Sequence, residues 1–209
     1  NIHDLLIKKL EDSDLLKIYY QVELPLIAVL AKMESTGVKI DQAFLGQLAK
    51  EWQSELEQLT TAIYAQAGEE FNINSPKQLQ VILFEKLKLK VKGLSKTKSG
   101  LSTDAANLQK LKDQHKIIEL LLEYREAAKL LNTYALALPR LADSQDSRLR
   151  ATFHQAVTAT GRLSSSDPNL QNIPTRTEMG KKLRQAFIAE KGYRLLSFDY
   201  SQIELRIMA

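Results

Sequence analysis

The chain has 209 residues, of which 44% are hydrophobic and 26% are charged, and it has no cysteine. This composition is typical of a folded protein with one large or two small domains, and it excludes disulfides and thiolate metal sites. The longest apolar run, which begins at Leu24, is far shorter than the ~20 residues that a membrane helix needs, so no membrane partner is predicted.

The net charge of +4 is unevenly distributed along the chain. From Arg148 to the end there are ten Lys or Arg and five Asp or Glu, so this segment carries +5 and the first 147 residues carry −1. A positive segment of this kind suits a polyanionic partner, although a solvated basic surface without a partner is the alternative interpretation.

The first 140 residues are predicted to be almost entirely helical. The apolar residues recur with a spacing of three to four, and Gly37 and Gly68 stand where helices are expected to end. The predicted helices cover residues 4–19, 22–36, 42–67 and 76–87, a short stretch from Asp104 that is capped by Ser102 or Thr103, and about 115–138. In a lysine-rich stretch with two glycines, residues 86–100, the lysines alternate with apolar residues before Gly93. The part after Gly93 is predicted to form an exposed loop near one end of two long, antiparallel helices.

The pattern changes after Pro139, which suggests a boundary between a helical arm and the start of an α/β layer near residues 139–148. The predicted elements are a strand in "RLRATFHQAV" (148–157), a polar loop over 158–174, a short helix or strand in "KKLRQAFI" (181–188), a buried strand in "YRLLSF" (193–198) and the start of a helix over 201–209.

Asp199 directly follows the predicted buried strand. A carboxylate in that place can hold a hard cation such as Mg²⁺, with the carbonyl of Tyr200 as a second oxygen ligand. The alternative is that Asp199 only caps the helix that begins near Gln202. Glu204, on the same predicted helical face as Tyr200, could line a pocket beside the cation, or it could be a solvated acid or a partner of Arg206.

The loop "TATGRLSSSDPNLQNIPTR" (158–176) combines many hydroxyls with side-chain amides and arginines. Uncharged donors of this kind suit the minor groove of duplex DNA, where every base pair presents N3 or O2 acceptors. A polar loop that satisfies its own hydrogen bonds is the alternative.

Together these segments closely resemble the family A DNA polymerases of bacteria. "DYSQIELR" (199–206) is similar to motif A of the family, and "ATGRLSSSDPNLQNIP" (159–174) is similar to its primer–template loop. "FNINSPKQLQVILFEKL" (71–87) and "LEYREAAKLLNTY" (122–134) are similar to its thumb helices. The resemblance implies a mainly α thumb of long antiparallel helices followed by an incomplete α/β palm. It implies the tail of a 3′–5′ exonuclease-like domain over 1–20, the thumb over 21–147 and the first part of the palm over 148–209.

The resemblance also implies roles for individual residues. Asp199 corresponds to the first catalytic carboxylate, which binds two Mg²⁺ ions together with the Tyr200 carbonyl, and Glu204 to the residue that selects deoxynucleotides. The nucleotide-binding residues implied are Arg176, Gln202, Ile203 and Glu204. The DNA-binding residues implied are Arg162, Asn169, Gln171, Asn172, Lys129 and Arg125.

The expected function is template-directed DNA synthesis in replication and repair, carried out by a longer protein in the bacterial cytoplasm near the nucleoid. The partners implied are primer–template DNA and deoxynucleoside triphosphates, without an obligate protein partner. The family's second carboxylate and its fingers helix lie downstream of motif A. The chain is therefore expected to be a fragment that is inactive alone and binds no Mg²⁺ by itself. A non-catalytic DNA-clamping module is the alternative.

Overall fold

The computed structural model describes residues 1–91, 93–97 and 100–209, is about 55% helical and has a few small sheets. Lys92, Lys98 and Ser99, which belong to the lysine-rich stretch 86–100, lie outside the described residues. The helices are α1 (Ile2–Asp12), α2 (Leu16–Ile18), α3 (Leu24–Thr36), α4 (Gln42–Ala67), α5 (Pro76–Gln80), α6 (Ala105–Gln109), α7 (Ile117–Leu130), α8 (Leu138–Leu141), α9 (Glu178–Arg184) and α10 (Ile203–Met208). π-helical turns over Tyr19–Glu23, Val81–Lys86 and Leu131–Ala135, and a 3₁₀ turn over Leu170–Asn172, extend or connect them. The strands are β1 (Val38–Lys39), β2 (Lys96–Thr97), β3 (Gly100–Leu101), β4 (Arg148–Leu149), β5 (Thr152–His154) and β6 (Ser164–Ser166).

The predicted helices are largely confirmed, with differences at their ends and one interruption: the helix predicted over 4–19 is divided into α1, which ends at Asp12, and α2, which begins at Leu16. Helix α4 has the predicted bounds, and the Ser75 side chain caps α5 by accepting from the Gln78 N–H. The predicted cap of α6 is wrong, because Asp104 occupies the N-cap position and its carboxylate accepts from the Asn107 N–H at 2.8 Å. The Ser102 hydroxyl instead donates to Asp104.

The chain forms two compact units, and each is assembled from segments that are not consecutive in the sequence. The first unit comprises residues 1–41, 141–174 and 184–209, and the second comprises residues 42–140 and 175–183. This division differs from the predicted subdomains 1–20, 21–147 and 148–209, which stay a prediction about a longer polymerase.

The second unit is organised by the packing of α4 against α7. Helix α4 places an apolar stripe in the core, and Trp52 in that stripe is only 1% exposed. Full burial of one large apolar side chain contributes about 1.5–3 kcal/mol. The buried stripe of α4 is therefore a substantial part of what stabilises this unit. A continuous cluster packs around the far end of α4: Ile63, Ile73, Leu79, Ile82, Leu83, Leu89, Leu108, Leu111, Ile117, Ile118 and Leu121.

The first unit contains two short antiparallel sheets. Strand β1 pairs with β4, with Val38 opposite Leu149, and β5 pairs with β6, with Phe153 opposite Ser165. Gly37 joins α3 to β1 with φ +61° and ψ −177°, a conformation that is essentially confined to glycine. This glycine therefore sets the direction in which the chain leaves the helix and enters the sheet.

Candidate functional site

The segment predicted as a buried strand, residues 193–198, is not a strand in the structure, so this prediction is wrong. Its side chains are exposed, with Leu196 at 76% and Phe198 at 89%. A strand needs a neighbour for its backbone N–H and C=O groups. Residues 194–200 form no hydrogen bond with the part of the chain that the structure describes. The apolar pattern favours a strand, but the local sequence cannot reveal whether a partner strand is present.

Asp199 and Tyr200 are exposed at the end of this segment. The alternative that Asp199 caps the following helix is wrong, because Gln202 occupies the N-cap position of α10, in a left-handed conformation with φ 53°. The first turn is instead supported by Arg206, whose Nε donates to the Ser201 carbonyl at 2.9 Å. The Asp199 carboxylate is thus not used by the helix and faces solvent, where a ligand can reach it.

Glu204 contacts Arg162, with 3.4 Å between its Oε1 atom and the arginine Nη2 atom. The interpretation that Glu204 pairs with Arg206 is therefore wrong. The two side chains are 69% and 78% exposed, so the ion pair itself adds little stability. The contact shows that the polar loop and α10 lie next to each other, through two residues that are 42 positions apart in the sequence.

The polar loop uses part of its own amide groups to fix its shape. The Asn169 side-chain Oδ1 accepts from the Gln171 N–H at 3.0 Å and from the Ser165 hydroxyl at 3.3 Å. The Gln171 side-chain Nε2 donates to the Leu163 backbone carbonyl at 3.1 Å. The self-satisfied interpretation is thus correct for these bonds. Asn172 lies exposed in the 3₁₀ turn, and the buried Ile173 anchors the end of the loop.

The remaining predicted site residues, Arg176, Lys129 and Arg125, lie in the second unit. Arg176 and Lys129 are exposed, as phosphate-binding side chains must be. Arg125 is half-buried and donates from Nη1 to the Thr103 carbonyl. Burial lowers the pKa of the Arg125 guanidinium, and the nearby charge of Asp104 partly offsets this.

The donor chemistry of the Asp199 region fits a hard cation. Among the described residues there is no group of three or more His, Cys, Asp or Glu that could enclose a metal ion. Mg²⁺, however, often binds through only one or two carboxylates and completes its shell with water and substrate phosphates. An exposed carboxylate at Asp199 next to the Tyr200 carbonyl provides oxygen ligands of the required type for one side of such a site.

Two hydrogen-bonded clusters that the sequence did not predict lie next to the exposed segment 193–200 and next to the lysine-rich stretch 86–100. Glu190 accepts from Arg148 Nη2 at 2.8 Å and lies 3.4 Å from Lys39 Nζ, and the Arg148 hydrogen bond is the main reason why the pKa of Glu190 is lowered. This cluster ties the β1–β4 sheet to the start of the exposed segment. In the second unit, the buried amide of Asn107 bonds to Ser95. No local motif could have identified either cluster, since the partners are 12 to 151 residues apart.

A sequence profile of DNA polymerase family A matches residues 42–209. The chain belongs to this family. Its relatives include thermostable DNA polymerase I of Thermus thermophilus, 48% identical over 209 residues, and DNA polymerase I of Bacillus subtilis, 47% identical over 210 residues. Both alignments cover 100% of the chain, and they cover 25% and 24% of the respective relative.

A solved structure supports the same assignment. The POL domain of Pol1 from M. smegmatis, in complex with DNA primer–template and dNTP, has a TM-score of 0.88 and 42% sequence identity to the chain. The similarity covers 98% of the chain and 36% of that domain. The resemblance to the family A DNA polymerases is thus confirmed. The chain spans about a quarter of the length of the curated relatives it matches.

No helix among the described residues is both long enough and apolar enough to span a membrane.

Proposed function

We propose that this chain is the primer–template-binding part of a longer DNA-directed DNA polymerase and supplies one of its catalytic carboxylates. The observation that carries the proposal is the contact between Arg162 in the polar loop and Glu204 in α10. These are the two segments that the resemblance assigns to the primer terminus and to the incoming nucleotide, and they meet although 42 residues separate them. The family membership and the DNA-bound structural relative support the same function.

In the proposed mechanism, the chain's residues position the reactants. Asp199 and the Tyr200 carbonyl hold one side of the metal site at the primer terminus. Two Mg²⁺ ions, when bound, would lower the pKa of the primer 3′-hydroxyl and stabilise the charge of the leaving pyrophosphate. Glu204 stands beside this carboxylate in sequence and crowds the 2′ position of the incoming sugar, so that deoxynucleotides are preferred.

The remaining proposed contacts hold DNA and the triphosphate. Arg162 reaches the minor groove at the primer terminus, and the polar loop around Asn169, Gln171 and Asn172 contacts the template and the primer. Gln202 and Ile203 line the nucleotide pocket with Glu204. In the second unit, Arg176 binds near the triphosphate, while Lys129 and Arg125 lie along the duplex backbone. We propose that residues 21–147 form the thumb, that residues 148–209 begin the palm, and that the longer protein works on DNA in the bacterial cytoplasm.

Primer extension by the full-length protein tests this proposal. Asp199→Ala should abolish nucleotide incorporation and leave primer–template affinity within a few-fold, because one carboxylate holds the metals whereas many contacts hold the backbone. Asp12→Ala, which removes an exposed carboxylate of the same type in α1, is the matched control and should leave both unchanged. Incorporation by the Asp199 variant within tenfold of the unaltered protein would refute the assignment. Duplex binding without any incorporation by the unaltered protein would favour the clamping module instead.

A further inference from the structure

Arg162 lies in the connection between β5 and β6, where residues 155–163 form a hairpin loop. The two strands pair in antiparallel register, with His154 opposite Ser164, so the hairpin loop leaves and re-enters the same sheet. Val157 in this loop is 70% exposed, so its apolar side chain does not anchor the loop to a core. The conformation of the hairpin loop therefore depends on its polar contacts.

Gln155 fixes the start of the hairpin loop. Its Nε2 donates to the Glu23 side-chain Oε2 at 2.7 Å and to the Glu23 backbone carbonyl at 3.0 Å. The strand before it is held in a similar way, since the Phe153 N–H donates to Glu34 Oε1 at 2.6 Å. Glu23 directly precedes α3 and Glu34 lies within it. The entry into the hairpin loop is thus attached to α3 as well as to the β5–β6 sheet.

Thr158 closes the second half of the hairpin loop onto Arg162. Its hydroxyl donates to the Arg162 backbone carbonyl at 2.5 Å, and the Gly161 N–H donates to the Thr158 carbonyl at 3.3 Å. Gly161 has φ +73°, a left-handed conformation that favours glycine and lets the chain reverse here. The hydroxyl bond holds the peptide group that directly follows the Arg162 Cα atom. It therefore fixes the backbone from which the guanidinium projects.

The fixed backbone of Arg162 bears on the contact that its side chain makes. Arg162 Nη2 lies 3.4 Å from Glu204 Oε1, although the two side chains are 78% and 69% exposed. An ion pair between long exposed side chains gains little, because holding both in one geometry costs side-chain entropy. The bond from Thr158 lowers this cost, because the guanidinium then starts from one defined backbone position.

We infer that Thr158 is a positioning residue, which holds Arg162 against Glu204 and thereby keeps the Glu204 carboxylate in one place. This inference rests on the proposed function, in which Glu204 crowds the 2′ position of the incoming sugar. A carboxylate that an arginine holds in place excludes a 2′-hydroxyl better than one that rotates freely. The hydroxyl of Thr158 binds the carbonyl of Arg162 itself, in a surface loop and not in the apolar core. Thr158 thus acts on sugar selection through Arg162 and does not touch the nucleotide.

The experiment measures kcat/KM of the full-length protein for a deoxynucleotide and for the matching ribonucleotide, and takes their ratio as the sugar selectivity. Thr158→Val removes the hydroxyl and keeps the shape of the side chain, whereas Thr158→Ser keeps the hydroxyl. We expect Thr158→Val to lower the selectivity about two- to fivefold, the range of an exposed ion pair, and Thr158→Ser to retain it. Thr152→Val, at an exposed threonine of β5, is the control and should leave the selectivity unchanged. An unfolded fraction lowers both rates equally, so the ratio does not report on folding.

A double variant separates this inference from the proposed function. In a protein that already carries Glu204→Ala, Thr158→Val should lower the selectivity no further, because the carboxylate that Arg162 holds is gone. Unchanged selectivity in Thr158→Val, an equal loss in Thr158→Ser, or the same loss with and without Glu204→Ala would overturn the inference while the proposed function stands. If Glu204→Ala itself leaves the selectivity unchanged, the proposed role of Glu204 fails and the inference fails with it. If the unaltered protein incorporates no nucleotide, the proposed function and the inference both fail.

Discussion

Gly37 is the position where the smallest substitution should affect the first unit most. Its backbone has φ +61° and ψ −177°, and holding another residue type in this region costs of order 1–3 kcal/mol. An added Cβ would also lie 2.6 Å from the Leu149 carbonyl oxygen and 2.9 Å from Arg150 Cγ. Because Leu149 is paired with Val38 across the β1–β4 sheet, its backbone cannot yield without disturbing that pairing.

The backbone strain at residue 37 and the clash with the β1–β4 sheet both destabilise the first unit. We therefore expect Gly37→Ala to lower the free energy of unfolding of the first unit by about 3 kcal/mol or more. For a unit of about 100 residues that unfolds by itself, this corresponds to a fall in Tm of about 12–24 °C. Gly46→Ala is the matched control: this glycine lies within α4 with no atom within 4 Å of an added Cβ. The same substitution there should raise the free energy of unfolding by about 0.5–1 kcal/mol.

Urea denaturation followed by two signals can assign the effect to a unit, because two compact units need not unfold together. Trp52, the single tryptophan, is buried in the second unit, so its fluorescence follows that unit, whereas far-UV circular dichroism follows both. Gly37→Ala should move the circular dichroism transition to lower urea and leave the Trp52 transition in place. A Gly37→Ala variant as stable as the unaltered protein would refute the assigned backbone conformation.

Three further predictions concern the proposed site and the contacts of Asp104. In the full-length protein, Glu204→Ala should increase ribonucleotide incorporation strongly, because space opens at the 2′ position of the sugar. Unchanged discrimination between ribonucleotides and deoxynucleotides would show that Glu204 is a solvated helix acid without this role. Lys129→Ala should weaken duplex binding equally for all sequences and lower the salt slope by about 0.9, whereas an unchanged slope would show that Lys129 faces solvent. The pKa of Asp104 lies below its ordinary value of 3.8, so its stabilisation is present above that pH and is lost as the pH falls through the folded-state pKa. The protection of the Ser95 N–H against hydrogen exchange, measured relative to the intrinsic exchange rate at each pH, should therefore fall in acid in the unaltered protein. Asp104→Asn should remove this pH dependence of the protection.

The helical part of the chain could be predicted because its signals are local. The apolar stripe of α4 and the Ser75–Pro76 start of α5 each follow from residues within one or two turns. The error at α6 has the same origin. Ser102, Thr103 and Asp104 can all cap a helix, and the choice depends on Asn107, whose buried amide also needs the Asp104 carboxylate.

The contacts that shape the candidate site could not be predicted in this way. Arg162 was expected to act on DNA and Glu204 on a nucleotide, but nothing in either motif states that the two side chains meet. The Glu190 cluster could not be predicted from local sequence either, since the partners of Glu190, Lys39 and Arg148, come from two different strands of one sheet. Pairing over such distances in sequence is decided by the tertiary fold and not by local propensity.

The exposed segment 193–200 leads to the last prediction. Its apolar side chains are uncovered and its backbone groups from residue 194 to 200 are unpaired within the described structure, which is the condition under which strands add to other chains. We expect the 209-residue chain alone to self-associate as its concentration rises, and Leu196→Ser combined with Phe198→Ser to abolish this. Val157→Ser, at a residue 70% exposed elsewhere in the first unit, is the control and should leave association unchanged. Sedimentation velocity over a range of concentrations measures the result. A chain that stays monomeric at all concentrations would show that the exposed segment does not pair with other copies of the chain. The strand-like pattern of "YRLLSF" would then need an explanation other than strand pairing.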